Sequence, residues 1–246
     1  MRSLLRKRLS TFRLLLSTFY LFFNISLAQA APVGSPASLL KKGQWDFAVE
    51  GGGYLSARPM ESSGSPDYEV SLWYGYHSRS YGLTDRLTIT GKVGGSYGYI
   101  YDETTPGAQI KTSLSGGLVL GAQLKGTILE NKALGLEWDG SGQFLYMQSH
   151  HKRSGKANSD WYEWQVSTCV AKEIGRFKPY AGVKFSTVTL DHDDGKGNTT
   201  SYEEDGAFGA FVGTDIYLGQ DRDIIIMLEG GFLPGIEGYT GIKYKF

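Results

Sequence analysis

Histidine and aspartate residues occur together in two segments and could activate water or bind a metal ion. Imidazole and carboxylate groups form the ligand sets of many zinc and calcium sites and the acid–base pairs of hydrolases. The second segment departs from the calcium-loop pattern, because its fifth position is Gly195 and its twelfth is Tyr202. We expect exposed loop residues there, and predict no catalytic, cofactor or metal site. The residues are His150, His151, Asp191, His192 and Asp193.

A second set of charged residues is spread along the chain at alternate positions. It holds eight acidic and six basic side chains, which the alternation directs to one side of a sheet. If the sheet closes into a barrel, these side chains point into its lumen. Unpaired buried charges are costly, so we predict that they form ion pairs and that the lumen is largely plugged. A narrow passive pore for ions or small solutes is the alternative. The residues are Asp46, Glu50, Glu69, Lys92, Lys111, Glu137, Asp139, Glu163, Lys178, Lys184, Asp215, Glu229, Lys243 and Lys245.

The elements that carry these residues have the two-residue period of β-strands. No segment has sustained helical periodicity, and 127–133 alone could form a helical turn. The sequence therefore predicts an all-β fold. The ten predicted strands are 44–55, 68–81, 86–101, 110–125, 133–146, 161–171, 177–190, 206–217, 223–232 and 238–246.

Two features distinguish a membrane barrel from a soluble sandwich. Short and long connections alternate, as in outer-membrane barrels, and aromatic residues gather near strand ends. Residues 44–246 are thus predicted to form a transmembrane antiparallel up-and-down β-barrel of ten strands, with eight as the alternative. The aromatic residues are Tyr97, Tyr99, Tyr101, Tyr146, Trp161, Tyr162 and Trp164 near the long loops, and Trp45, Phe47, Phe177, Tyr217, Tyr244 and Phe246 near the short turns.

The N-terminal region has the composition of a secretory signal peptide. Residues 1–30 hold five basic residues and no acid, then an apolar stretch that ends at Ala28-Gln29-Ala30. We predict cleavage there and a periplasmic lead-in over 31–43. The rest of the chain has five more acidic than basic residues and no basic patch for nucleic acid. One cysteine, Cys169, excludes a disulfide framework.

The chain resembles the small bacterial outer-membrane barrels of the OmpA/OmpX/OmpW-like superfamily. The resemblance lies in 81–86, in 209–215 and in the C-terminal residues Ile242, Tyr244 and Phe246. It implies an outer-membrane location, surrounding lipids and lipopolysaccharide, a monomer, no cofactor, and recognition of the C-terminal residues by the assembly machinery.

Two resemblances to enzymes are weaker. The His and Asp residues near the loops resemble those of the omptins, but the catalytic pairs of that family have no residue-by-residue counterpart here. Residues 234–237 resemble a lipid A deacylase segment, but the upstream His-x-Ser is missing. We therefore predict a non-enzymatic structural or surface-interaction role, with an outer-membrane hydrolase as the second alternative.

Overall fold

Eleven antiparallel strands form one sheet. The computed structural model describes Ser35 and residues 39–54, 58–60, 68–105, 108–151, 158–193, 198–232 and 236–246; the predicted signal peptide lies outside these residues. The strands are β1 Trp45–Tyr54, β2 Arg58–Met60, β3 Tyr68–Thr84, β4 Leu87–Thr105, β5 Ala108–Asn131, β6 Leu136–His151, β7 Asn158–Lys172, β8 Phe177–Asp193, β9 Thr199–Leu218, β10 Ile224–Phe232 and β11 Ile236–Lys245.

The ten long strands close into a barrel. From β3 to β11 each strand pairs with its neighbours in the chain, and β1 pairs with both β3 and β11. The three-residue β2 pairs with β3 beyond the end of β1. Within the described residues every long strand has a paired neighbour on both sides, so the prediction of a ten-stranded up-and-down barrel is confirmed. No helix in the described part of the chain is long and apolar enough to cross a membrane.

Several strands are longer than the sequence pattern predicts. The possible helical turn at 127–133 is wrong, because β5 continues to Asn131. The residues expected in exposed loops also lie in strands: His150 and His151 end β6, while 191–193 end β8. Polar residues can continue a strand once its neighbour supplies a hydrogen-bonded ladder, and that ladder is not visible in local sequence.

The two ends of the barrel differ. Tight connections at 85–86, 132–135, 173–176 and 219–223 lie at the end that also holds β1's first residue and Phe246, which we call the turn end. Gly135 and Gly175 have positive φ there, at 62° and 63°. The opposite end, the loop end, carries the connections that include 55–67 and 152–157. Short turns mark the periplasmic side of outer-membrane barrels.

The exterior is apolar and bounded by aromatic residues at two levels. Exposed aliphatic side chains such as Val93, Leu120, Val166 and Val212 lie between these levels. Trp161 and Tyr217, predicted among the aromatic residues at the ends, instead point inward and are buried. The turn-side belt comprises Trp45, Tyr81, Trp138, Phe177 and Tyr244, and the loop-side belt comprises Trp73, Tyr97, Phe144, Trp164, Phe185, Phe208 and Phe232.

Strand β3 faces the opposite way from the sequence prediction. Its residues 70, 72, 74 and 76 are buried, whereas His77 and Arg79 are exposed on the exterior. Register decides this orientation: Glu50 of β1 stands opposite Tyr76, and directly paired residues share one face of the sheet. Glu69, predicted in the lumen, therefore lies on the exterior face.

Candidate functional site: the barrel interior

The chain preceding β1 enters the turn end of the barrel. Leu40 is 1% exposed, and its amide donates a hydrogen bond to Thr88 Oγ1 over 2.9 Å. Further in, the carbonyl oxygen of Ser35 accepts a hydrogen bond from Lys125 Nζ over 2.7 Å. The Ser35 hydroxyl donates to Asp215. Part of the predicted periplasmic lead-in, residues 31–43, is therefore packed inside the barrel.

Ion pairs lie in the turn half of the interior. Lys243 Nζ is 3.2 Å from Asp46 Oδ2, which joins β11 to β1. Lys178 Nζ is 2.6 Å from Glu137 Oε2, which joins β8 to β6. Each of these four charged groups is in direct contact with a group of opposite charge. Such pairing offsets part of the free-energy cost of removing the charges from water.

Asp139 lies beside this ionic region and is less fully paired. Thr127 Oγ1 donates to Asp139 Oδ1 over 2.9 Å, whereas Oδ2 has no hydrogen-bond partner among the described residues. A small cavity next to it is lined by Leu39, Lys125 and the thiol-bearing Cys169, among others. Cys169 is buried and free, as expected of a lone interior thiol.

Carboxylates in the middle of the interior are held by hydroxyl groups. Glu50 accepts hydrogen bonds from Ser78 and, over 2.6 Å, from the Tyr239 hydroxyl. Glu229 accepts one from Tyr180 over 2.9 Å. Lys184 of β8 and Glu237 of β11 form an ion pair in which both side chains are almost fully buried.

A chain of amide side chains links a lysine to a carboxylate at the same level. Lys92 Nζ donates to Gln143 over 2.9 Å, and Gln143 donates to Gln165 over 2.7 Å. Gln165 donates in turn to Glu163 over 3.0 Å. Satisfied networks of this kind fix side chains in one arrangement.

The loop half of the interior is apolar. The sequence analysis predicted charged residues in the lumen and did not predict this apolar half. Twelve buried side chains from β3 to β9 form one cluster, and its largest ring system belongs to Trp161. The cluster replaces water with side-chain contacts across seven strands. Its members are Val70, Leu72, Tyr74, Tyr76, Ile100, Val119, Leu145, Met147, Trp161, Val188, Leu190 and Tyr202.

The structure places the fourteen predicted lumen charges as follows. Glu137 and Lys245 are half-buried, and Glu69 is on the exterior. Lys111 pairs in register with Tyr101, in the same row as Glu69, and its side chain is outside the described set. The other ten, Asp46, Glu50, Lys92, Asp139, Glu163, Lys178, Lys184, Asp215, Glu229 and Lys243, are buried.

Two further charged residues are buried although they are not among the predicted lumen charges. Glu237 was assigned to a connection, but it belongs to β11 and is 3% exposed. Lys125 is the last residue of the predicted strand 110–125, yet β5 continues for six residues beyond it. The signal for Lys125 was its two-residue spacing from Gln123, which is also buried.

Two of the predicted rim residues, Asp191 and His192, make side-chain contacts at the loop end. Ser159 Oγ lies 3.1 Å from His192 Nδ1. Asp191 accepts a hydrogen bond from Ser201 over 2.6 Å. No group of three or more His, Cys, Asp or Glu residues in the described ranges is arranged to hold a metal ion.

These observations define the class of protein. A closed antiparallel barrel with an apolar exterior, aromatic belts at two levels, and short turns at one end is the architecture of outer-membrane β-barrels. The apolar exterior matches a hydrocarbon environment, and barrel closure gives every long strand a hydrogen-bonded neighbour on each side. The chain is an integral membrane β-barrel of the bacterial outer-membrane type.

Comparisons with known proteins returned structural matches alone. No protein-family model matches the sequence, and no curated protein matches it. The outer membrane protease OmpT from Escherichia coli is 12% identical, with a TM-score of 0.41 over 83% of this chain and 94% of that chain. OprG from Pseudomonas aeruginosa is 10% identical, with a TM-score of 0.41 over 84% and 98%. The translocator domain of the autotransporter NalP from Neisseria meningitidis is 9% identical, with a TM-score of 0.47 over 85% and 90%.

Proposed function

We propose that this protein is a closed outer-membrane barrel with a structural or surface-interaction role, rather than an open pore. The apolar cluster in the loop half carries this proposal. A conducting pathway needs continuous water along the barrel axis, whereas Leu145 and Met147 on the inner wall are at most 1% exposed. Side chains at this exposure leave little space for water between them.

The ion pairs and the chain before β1 support closure at the turn end. Leu40 and Ser35 are as fully buried as core residues, and both are held by hydrogen bonds to the inner wall. Opposite charges such as Lys243 and Asp46 neutralise one another there. A solute that entered from the periplasm would have to displace these contacts.

Conductance in planar bilayers tests the proposal. The refolded barrel should give no large, stable unit currents. A double variant, Tyr74→Ala with Trp161→Ala, removes two rings from the apolar cluster and should produce an ion leak. The matched control is Trp73→Ala with Trp164→Ala, since these rings lie on the exterior and their loss should leave the lumen unchanged. Stable unit currents in the unmodified protein would favour the narrow-pore alternative.

The surface-interaction role is supported by acidic groups beyond the loop-side belt. Asp160 and Asp191 stand opposite each other in register, and neither is fully buried. Carboxylates at this level can meet the phosphates of lipopolysaccharide through divalent cations. Asp160→Asn with Asp191→Asn should weaken magnesium-dependent lipopolysaccharide binding. Asp221→Asn, an exposed site at the turn end, is the control.

A hydrolase is the second candidate, because Ser159 and His192 form a hydrogen-bonded pair. A serine next to an imidazole can act as a nucleophile with its base. A fluorophosphonate probe tests this chemistry. Labelling that is lost in Ser159→Ala and retained in Ser149→Ala would favour the hydrolase; Ser149 is the paired, equally buried residue on β6. Absence of labelling in the folded protein is the result expected of the structural role.

A further inference from the structure

Arg79 is an exception on the exterior of the barrel. Among the described side chains it is the one charged group exposed between the turn-side and loop-side belts. It has no ion-pair partner within the described residues. A lipid-facing arginine is destabilising in a depth-dependent way, so its guanidinium group requires a polar partner outside the chain.

The depth of Arg79 indicates where that partner lies. Arg79 is two residues from Tyr81 of the turn-side belt, which is about 7 Å along a strand. An arginine side chain can extend this far and place its charge at the nearer interface. Because short turns mark the periplasmic side, the interface within reach of this charge is that of the periplasmic leaflet.

Arg79 stands beside a shallow trough at a glycine position of the neighbouring strand. Its β4 neighbour is Gly91, where an added Cβ would meet nothing within 4 Å. Nearer the loop end, Gly51, Gly75 and Gly95 stand opposite one another on three adjacent strands and form a second depression, which His77 and Val93 separate from the trough. Cβ atoms there would make ordinary contacts at 3.4–3.8 Å, so packing within the chain does not require these glycines. The missing side chains leave room for an external group to approach the backbone.

The side chains around Arg79 are apolar and aromatic. Phe47 stands opposite Arg79 on β1 and stacks on His77 with ring centroids 5.5 Å apart. The rings of Trp45 and Tyr81 lie next to these residues on the side of the turn end, with their centroids 4.5 Å apart. Such a surface fits an acyl chain, and the guanidinium group at its lower part fits a phosphate through paired hydrogen bonds.

We propose that Arg79 binds the phosphate of an anionic phospholipid of the periplasmic leaflet, whose acyl chain lies in the trough over Gly91. A second copy of the chain fits this surface less well. Two barrels in one membrane would meet about an axis along the membrane normal, which brings the two Arg79 charges to the same depth. Like charges would then face one another across the contact between the two copies.

Native mass spectrometry of the purified barrel tests the site. After exchange with equal phosphatidylglycerol and phosphatidylcholine, the unmodified protein should retain phosphatidylglycerol preferentially. Arg79→Gln should lower that retention about tenfold, the factor that corresponds to one charge-assisted contact. Arg79→Lys should retain an intermediate amount, because the charge remains and the paired hydrogen bonds are lost. Gly91→Leu should also lower retention, since it fills the trough and leaves the charge in place.

Arg86→Gln is the matched control, because Arg86 is an exposed arginine at the turn between β3 and β4. It should retain as much phosphatidylglycerol as the unmodified protein. Heat-dependent gel mobility verifies that each variant is folded. Equal retention by Arg79→Gln and the unmodified protein would overturn the proposal. So would a dimer that disappears in Arg79→Gln, which would assign the surface to a second copy.

Discussion

The hydroxyl of Tyr239 donates a hydrogen bond of 2.6 Å to Glu50, a residue 189 positions earlier in the chain. The two residues belong to β11 and β1, the last and first strands of the barrel. Ser78 of β3 donates to the same carboxylate. One buried carboxylate thus connects the three strands at which the barrel closes.

Tyr239→Phe should destabilise the barrel without changing its shape. The substitution removes one hydrogen bond to a buried charged acceptor, which corresponds to about 1–3 kcal/mol. Unfolding in urea from lipid vesicles measures the loss. Tyr244→Phe on the same strand is the control, because that ring is exposed on the exterior. Equal effects of the two changes would contradict the role given to the Glu50 contact.

Lys184 and Glu237 should show strong energetic coupling. Lys184→Met leaves the Glu237 carboxylate without its ion-pair partner in a buried site, and should cost about 3–5 kcal/mol. Adding Glu237→Leu should recover much of that loss, because no buried charge remains. A double-mutant cycle of unfolding free energies measures the coupling. If the changes in unfolding free energy of the two single variants add up to that of the double variant, the two side chains are not coupled and the prediction is contradicted.

Leu40 should contribute to stability as a core residue does, although it precedes the first strand. Leu40→Ala should lower the unfolding free energy by about 2–5 kcal/mol, the range for truncating a buried leucine. Leu83→Ala near the same end should have a much smaller effect, since Leu83 is 40% exposed. Protease digestion of the folded variants from the turn end reports whether the N-terminal segment has left the lumen.

Deletion of Phe246 should separate insertion in cells from intrinsic stability. The Phe246 amide donates to the Trp45 carbonyl oxygen over 3.0 Å, and its ring meets Tyr244 edge-on at 5.0 Å. Its side chain is mostly exposed, so refolding in detergent should be nearly normal. Yield in the membrane fraction should fall strongly if the assembly machinery reads this residue. Normal yield would contradict the predicted assembly signal.

The orientation of β3 shows where sequence reasoning failed. Its even-numbered residues, including Val70 and Leu72, are more apolar than the odd-numbered ones, and an apolar face suggests lipid. The interior at the loop end is also apolar, so hydrophobicity does not distinguish the two sides there. The contact of Glu50 with Ser78 and the register with Tyr76 decide the question, and neither can be inferred from β3 by itself.

Sequence alone determined the antiparallel up-and-down order and the apolar exterior, because a two-residue period and alternating connection lengths are local properties of the chain. It predicted ten strands with eight as the alternative, and barrel closure in the structure decided between them. Tertiary structure decided the interior. It brought Glu237 to Lys184, placed Leu40 and Ser35 inside the turn end, and turned Arg79 toward lipid. Each of these depends on register and on neighbours far apart in the chain. A shift of one residue in register exchanges the two faces of a strand, and barrel closure fixes that register for all strands together.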